Sequence, residues 1–285
     1  MGPVHLGVTD GPRARRFYET VVGLTAIGEH GDSIRMGAHG LELVVLHPGA
    51  RTPVLRGTSG LYHLAIVVPS RRELARVVAR LMNIGYPQSP TDHVLTKSDY
   101  LWDPDGNGIE IYTETPEDGT WEFANGTFRS KARDGSLRSG VDPIDVPALL
   151  AELQPDDSFD EPLAAGSHMG HVHLHIHDLR ESVAFYSGVI GFDVMGLAER
   201  WGVAFVSAGG YHHHLGLNIW AGEGAPPAPD DASGLRHFTV ELPAEPDLDA
   251  VVDRLRSSGA ELNESDGGHF VRDPSGIRVR LTIQQ

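Results

Sequence analysis

The chain repeats itself, and the repeat restricts its architecture more than any other feature. His5-Leu6, Asp10, Phe17-Tyr18 and Gly23-Leu24 recur as His173-Leu174, Asp178, Phe185-Tyr186 and Gly191-Phe192, each 168 residues later. A second set, Gly60-Leu61-Tyr62-His63 with Leu81 and Gly85, returns as Gly234-Leu235-Arg236-His237 with Leu255 and Gly259, at an offset of 174. Asp103-Pro104-Asp105-Gly106 answers Asp273-Pro274-Ser275-Gly276. Two offsets mean two kinds of unit, each present twice.

All four units read alike. Each opens on an alternating strand such as Tyr62–Val68, followed by an amphipathic helix such as 71–83, where Leu74, Val77, Val78 and Leu81 keep helical spacing. Gly85 ends that helix, and three further strands follow, the last behind a turn rich in Asp, Pro and Gly. The pattern predicts an α+β fold of four βαβββ modules, at about 3–48, 60–114, 169–221 and 233–284. We divide the chain into a first domain at 1–118 (modules one and two), a linker at 119–166 and a second domain at 167–285 (modules three and four). The linker is rich in Pro, Gly and Asp, with one short helix expected near 147–153.

Composition narrows the function. A net charge of -16, spread without a long acidic block, argues against nucleic acid or an anionic membrane as partner. With no cysteine, a transition metal must be held by His, Asp or Glu. The start Met-Gly-Pro-Val-His shows no secretion signal and no apolar run spans a bilayer, so a cytoplasmic location is expected. A homo-oligomer is compatible with this sequence. Seven of the 16 histidines crowd into 171–177 and 212–214.

The layout resembles the vicinal oxygen chelate superfamily, which includes extradiol dioxygenases, glyoxalase I, fosfomycin-resistance enzymes and metal-free antibiotic-binding proteins. The resemblance covers nearly all the chain outside the linker. It implies paired modules forming incomplete barrels, with one ligand on a module's first strand, seven residues before the acidic position that precedes the helix. That register gives Pro3, His63, His171 and His237; the last-strand position gives Glu110 in module two and Arg280 in module four. Pro3 and Arg280 cannot bind a cation. Only modules two and three then supply three ligands: His63, Glu110 and His171. His173 replaces His171 if the register slips by two.

A narrower resemblance points to the extradiol dioxygenases, and among them to the bacterial catechol 2,3-dioxygenases. His93, Tyr100, Asp103-Pro104-Asp105-Gly106 and Glu110 fit their signature, with Asp99 departing from the usual apolar residue. Tyr211-His212-His213-His214-Leu215-Gly216 resembles the segment that carries their acid/base histidine, which falls on His213, with His212 and His214 as alternatives. The resemblance implies a mononuclear Fe(II) site, or Mn(II) in its place, that takes O2 and a catechol-type aromatic diol. His213 is the implied acid/base, with Tyr100 and His93 as hydrogen-bond partners of the substrate. The rival classes are a glyoxalase-like metal-dependent isomerase or transferase and a metal-free small-molecule (drug) binding protein.

Overall fold

Strand alternation and helix caps build each module where the pattern places it. The computed structural model describes residues 1–265 and 267–284. Module one comprises β1 (Val4–Val8), α1 (Gly11–Phe17), β2 (Thr25–His30), β3 (Ser33–Ala38) and β4 (Leu41–Pro48). Module two comprises β5 (Gly60–Val67), α2 (Arg71–Ile84), β6 (Ser89–Asp92), β7 (Thr96–Trp102) and β8 (Gly108–Glu114). The connecting stretch holds β9 (Gly119–Ala124), β10 (Thr127–Ala132), β11 (Leu137–Arg138), β12 (Asp142–Pro143) and α3 (Val146–Leu150). Module three comprises β13 (His168–His175), α4 (Leu179–Val183), β14 (Asp193–Ala198), β15 (Val203–Ser207) and β16 (Leu215–Asn218). Module four comprises β17 (Gly234–Leu242), α5 (Glu245–Ser258), β18 (Leu262–Ser265), β19 (Gly268–Arg272) and β20 (Arg278–Ile283).

Local chemistry explains the boundaries. Ser70 caps α2 by accepting from the Glu73 amide, and Gly85 closes it at φ 65°, a conformation that favours glycine. The side chains of Asp10 and Asp178 cap α1 and α4 in the same way. Both of these short helices run on into a π-helical turn, Tyr18–Val22 and Ala184–Ile190. Among the described residues, no helix is long and apolar enough to cross a membrane.

The modules pair across the sequence halves. One sheet has the order β18-β19-β20-β17-β1-β4-β3-β2 and joins modules four and one. The other, β12-β6-β7-β8-β5-β13-β16-β15-β14, joins modules two and three. Residues 1–118 and 167–285 therefore each contribute one module to each sheet. In the second sheet Leu64, Ile66, Ile109, Ile111, Val172 and Leu174 enter the main core, which includes the apolar side of α2. Alternation sends His63, Glu110, His171 and His173 to the opposite, concave face.

Two buried tyrosines, one in each half of the chain, tie the sheets together. The Tyr18 hydroxyl donates to Asp103 Oδ2 at 3.4 Å, and Tyr186 donates to Asp273 Oδ2 at 2.9 Å. Oδ1 of each aspartate accepts two backbone amides of its own turn. The repeated Asp-Pro turn is thus both a strand connection and an anchor for the partner module's helix.

The stretch 119–166 departs from the expected linker. Strands β9, β10 and β11 form a separate antiparallel sheet, and β12 extends the edge of the second large sheet through β6. The short helix expected near 147–153 is α3, slightly earlier. Asn125 and Gly126 turn the β9–β10 hairpin at φ 54° and 71°, the pair of positive values a two-residue hairpin turn requires.

Candidate metal centre

Three strands bring the candidate ligands together. β5 and β8 run parallel with Ala65 opposite Glu110, while β5 and β13 run antiparallel with His171 opposite Ala65 and His173 opposite His63. Irregularities in the β5–β13 ladder flank the 171–173 segment. His171 Nε2 lies 3.0 Å from Glu110 Oε2, His63 Nε2 lies 3.1 Å from the same oxygen, and the two imidazole nitrogens are 3.3 Å apart. All three residues are buried, at 2–4% exposure.

These spacings fit a cation. Two donors each about 2.1 Å from one ion and at right angles stand about 3.0 Å apart. Burial disfavours the Glu110 carboxylate, but His171 and His63 outweigh it and hold its pKa well below the usual range. Burial lowers His171 despite Glu110, leaving it a neutral donor. The cluster thus sets one buried carboxylate beside imidazole nitrogens, a donor set that suits a divalent cation.

Further contacts orient the ligands. The Ser98 hydroxyl donates to Glu110 Oε1 at 2.6 Å, leaving Oε2 toward the histidines. Tyr112 OH lies 3.3 Å from His171 Nδ1 and 2.6 Å from Tyr211 OH, and Tyr211 donates to Glu114. Taken in order, His171 Nδ1–H donates to Tyr112, Tyr112 to Tyr211, and Tyr211 to a carboxylate. This chain makes His171 Nε2 the free acceptor.

The other expected residues surround the same pocket, a cavity of about 360 Å³ lined by His93, Tyr100, His173 and His213 besides the three candidate ligands. The His213 ring lies 4.1 Å from that of His171, and its Nδ1 is buried without a partner. Of the three consecutive histidines, His213 alone lines this cavity. His212 packs edge-on to Tyr112 and Trp121, while His214 meets Ser207 Oγ at 2.7 Å and stacks on Phe192. His173 Nε2 is also buried and unpartnered, and a Cβ at Gly216 would fall 2.7 Å from its ring. His93 Nδ1 meets the Gly140 carbonyl at 2.5 Å, so His93 Nε2 accepts from the Tyr100 hydroxyl at 2.8 Å.

Sequence reasoning missed the contribution of 119–166. Trp121, Phe128, Gly140 and Val141 line the pocket. Trp121 Nε1 donates to the His93 carbonyl at 2.7 Å, and its ring stacks on His213 at 5.8 Å. The signal was present in Trp121-Glu122-Phe123-Ala124-Asn125-Gly126: alternation running into the Asn-Gly pair that marks a hairpin.

The concave face of the other sheet lacks this set. Pro3 and Arg280 occupy the matching places, and His237 stacks on His5 at 3.8 Å, with His47 2.9 Å from His5. Among the described residues, no carboxylate joins these histidines in a metal-ligating group.

Four βαβββ modules in two sheets, with one buried His-His-Glu cluster, define the class. The chain belongs to the Glyoxalase/Bleomycin resistance protein/Dioxygenase superfamily, whose model matches residues 1–111 and 168–281. It is 37% identical to a catechol-2,3-dioxygenase of Bacillus subtilis (strain 168) over 287 residues, covering 99% of this chain and 97% of that protein. In fold it resembles a putative dioxygenase from Bacillus subtilis (TM-score 0.65, 16% identity, 99% of this chain and 85% of that one). It also resembles glyoxalase I from Zea mays (TM-score 0.57, 15% identity, 99% and 92%).

Proposed function

We propose that the protein is an extradiol dioxygenase that inserts both atoms of O2 into a catechol-type aromatic diol. Its cofactor would be one Fe(II) held by His63, Glu110 and His171, a donor set that also suits Mn(II). The observation that carries this reading is the convergence of three buried donor atoms within 3.0–3.3 Å of one another at the wall of the 360 Å³ pocket. The 37% identity to a catechol-2,3-dioxygenase supports the choice of reaction.

His63, Glu110 and His171 would hold the ion, which would supply Lewis acidity that lowers the pKa of the substrate hydroxyls, and redox chemistry toward O2. The chain's own residues do the rest. Phe205, Trp220 and His173 form the aromatic wall against which a planar ring packs, while Trp121 and Phe128 close the pocket from the β9–β10 hairpin. Burial, reinforced by His171, His212 and His173, holds His213 well below the ordinary histidine value. It therefore starts neutral and accepts a proton from the diol, then returns it as an acid when the ring opens. Tyr100, whose hydroxyl donates to His93, presents its oxygen beside His63 as an acceptor for a substrate hydroxyl.

The test is oxygen uptake, with absorbance followed in parallel, when catechol meets protein loaded anaerobically with Fe(II). Consumption of O2 with a yellow product is expected. Bound iron with no uptake would favour a glyoxalase-like isomerase or transferase, and no bound iron would favour a small-molecule binding protein.

A further inference from the structure

A second, larger cleft of about 1210 Å³ lies beside the pocket, bordered by strands of both sheets and by the loops around 54–59 and 227–236. Tyr62, Trp102 and Trp220 line both cavities and form the wall between them. In a chain of net charge -16, this cleft is lined by four arginines, Arg56, Arg236, Arg272 and Arg278. None of the four makes an ion pair within 4 Å of a carboxylate among the described residues. Asp230 also lines the cleft, and with Asp231 it acts on Arg236 only from a distance.

Two of these guanidinium groups are held in place without a carboxylate. Arg278 sits over the Phe270 ring at 5.1 Å, and Arg272 donates to the Gly276 carbonyl at 2.6 Å. Arg236 lies against Gly7, where a Cβ would fall 2.1 Å from its Nη2, so the glycine makes room for it. Fixed cations in a cleft with apolar walls focus potential on an anion and need little reorganisation to bind one. Leu55, Leu61, Pro227 and Ile277 give the cleft apolar lining, and Thr58, Asn107 and His175 add neutral polar groups to it.

We propose that this cleft is a second ligand site for small organic carboxylates, with the arginines taking the carboxylate and Trp102 and Trp220 the hydrocarbon body. A guanidinium fork matches a carboxylate in bidentate geometry, and the tryptophan wall favours a flat, unsaturated ligand over an inorganic anion. Two sources share this chemistry: an acidic substituent on the diol, and the ring-opened product, which gains a carboxylate when the diol is cleaved. Only this choice of source rests on the function proposed above; the site itself does not.

The test is a titration of the metal-free full chain with benzoate, read by tryptophan fluorescence, since Trp102 and Trp220 are half-exposed in the cleft wall. Saturable quenching that weakens with added salt is expected, with affinity reduced about fivefold to tenfold in Arg236→Gln/Arg278→Gln. Arg278→Lys should recover part of that loss. Should the double variant not fold, Arg56→Gln, on an exposed loop, carries the same expectation with a smaller loss. Binding unchanged in the variants, equal binding of the neutral isostere benzyl alcohol, or equal competition by inorganic phosphate would overturn the proposal. In the metal-loaded protein, comparing catechol with a catechol that bears one ring carboxylate separates the sources. A KM that rises in Arg278→Gln for the acidic diol alone identifies the substituent; an unchanged ratio, with the ring-opened product displacing benzoate, identifies the product. Because the first titration needs no metal and no turnover, failure of the dioxygenase reading leaves its outcome readable.

Discussion

The Tyr112 hydroxyl lies 3.3 Å from Nδ1 of His171, the ring nitrogen opposite the one that meets Glu110. It follows that the tautomer of His171 is set from behind, by the chain that ends on Glu114. Tyr112→Phe removes the acceptor and frees Nδ1. The expected result is a loss of metal affinity on the order of 10-fold to 100-fold, the usual cost of losing such a support. A metal titration against a competing chelator measures it.

Glu110 supplies the negative charge of the cluster. Glu110→Gln keeps the shape but replaces the anionic ligand with an amide, so bound metal and activity should both be lost. Metal content of the purified variant and its turnover of catechol check this; retained turnover would sink the assignment.

His213 touches no other polar group through Nδ1 and packs on His171. His213→Ala should keep the metal and lose activity by about 10² to 10⁴, the range for an acid/base group. Parallel measurements of iron content and kcat distinguish this from damage to the ligands.

Trp121 positions rather than reacts: it holds the His93 carbonyl and stacks on His213. Trp121→Ala should lower kcat by on the order of 10²-fold, as a small misplacement of reacting groups does. Metal affinity should change little, and the pair of readouts separates positioning from ligation.

Much of this was legible in the sequence. The alternation in Tyr62–Val68 and Ile109–Tyr112 fixes which side chains face the concavity, so His63 and Glu110 could be placed from the pattern alone. Pairing modules two and three required no packing information either, because in the ligand register that the family resemblance implies Pro3 and Arg280 disqualify the other combinations. What sequence did not reveal was the order of strands across the halves outside that site, since local periodicity says nothing about which edge a module joins. Nor did Pro, Gly and Asp content disclose that 119–166 builds a sheet, because those residues mark its turns while Trp121, Phe123 and Phe128 make its packing face. Composition averaged over the stretch concealed a short alternating hairpin.

Asp273 yields a prediction about stability. Burial raises its pKa from 3.8 to about 6 although the Ile277 amide, the Tyr186 hydroxyl and the Ser275 amide favour the charged form. A carboxyl that binds its proton more tightly in the folded state stabilises below its unfolded pKa, and this contribution is lost as pH rises through the folded value. The shift corresponds to about 3 kcal/mol. Asp273→Asn stays neutral throughout, so its melting temperature relative to the wild type should climb between pH 4 and pH 7. The difference between the two proteins is the quantity to follow, because Asp99, raised to about 7 by burial, adds a decline of the same sign to both. Parallel melting curves across that range provide the check.

The His63, Glu110 and His171 cluster is proposed to support cleavage of an aromatic diol by O2. Mass spectrometry of the product formed from catechol under ¹⁸O2 by the Fe(II)-loaded protein tests it most directly. A ring-opened product carrying two labelled oxygen atoms is expected. An unlabelled product, or catechol recovered intact from iron-bearing protein, would contradict it.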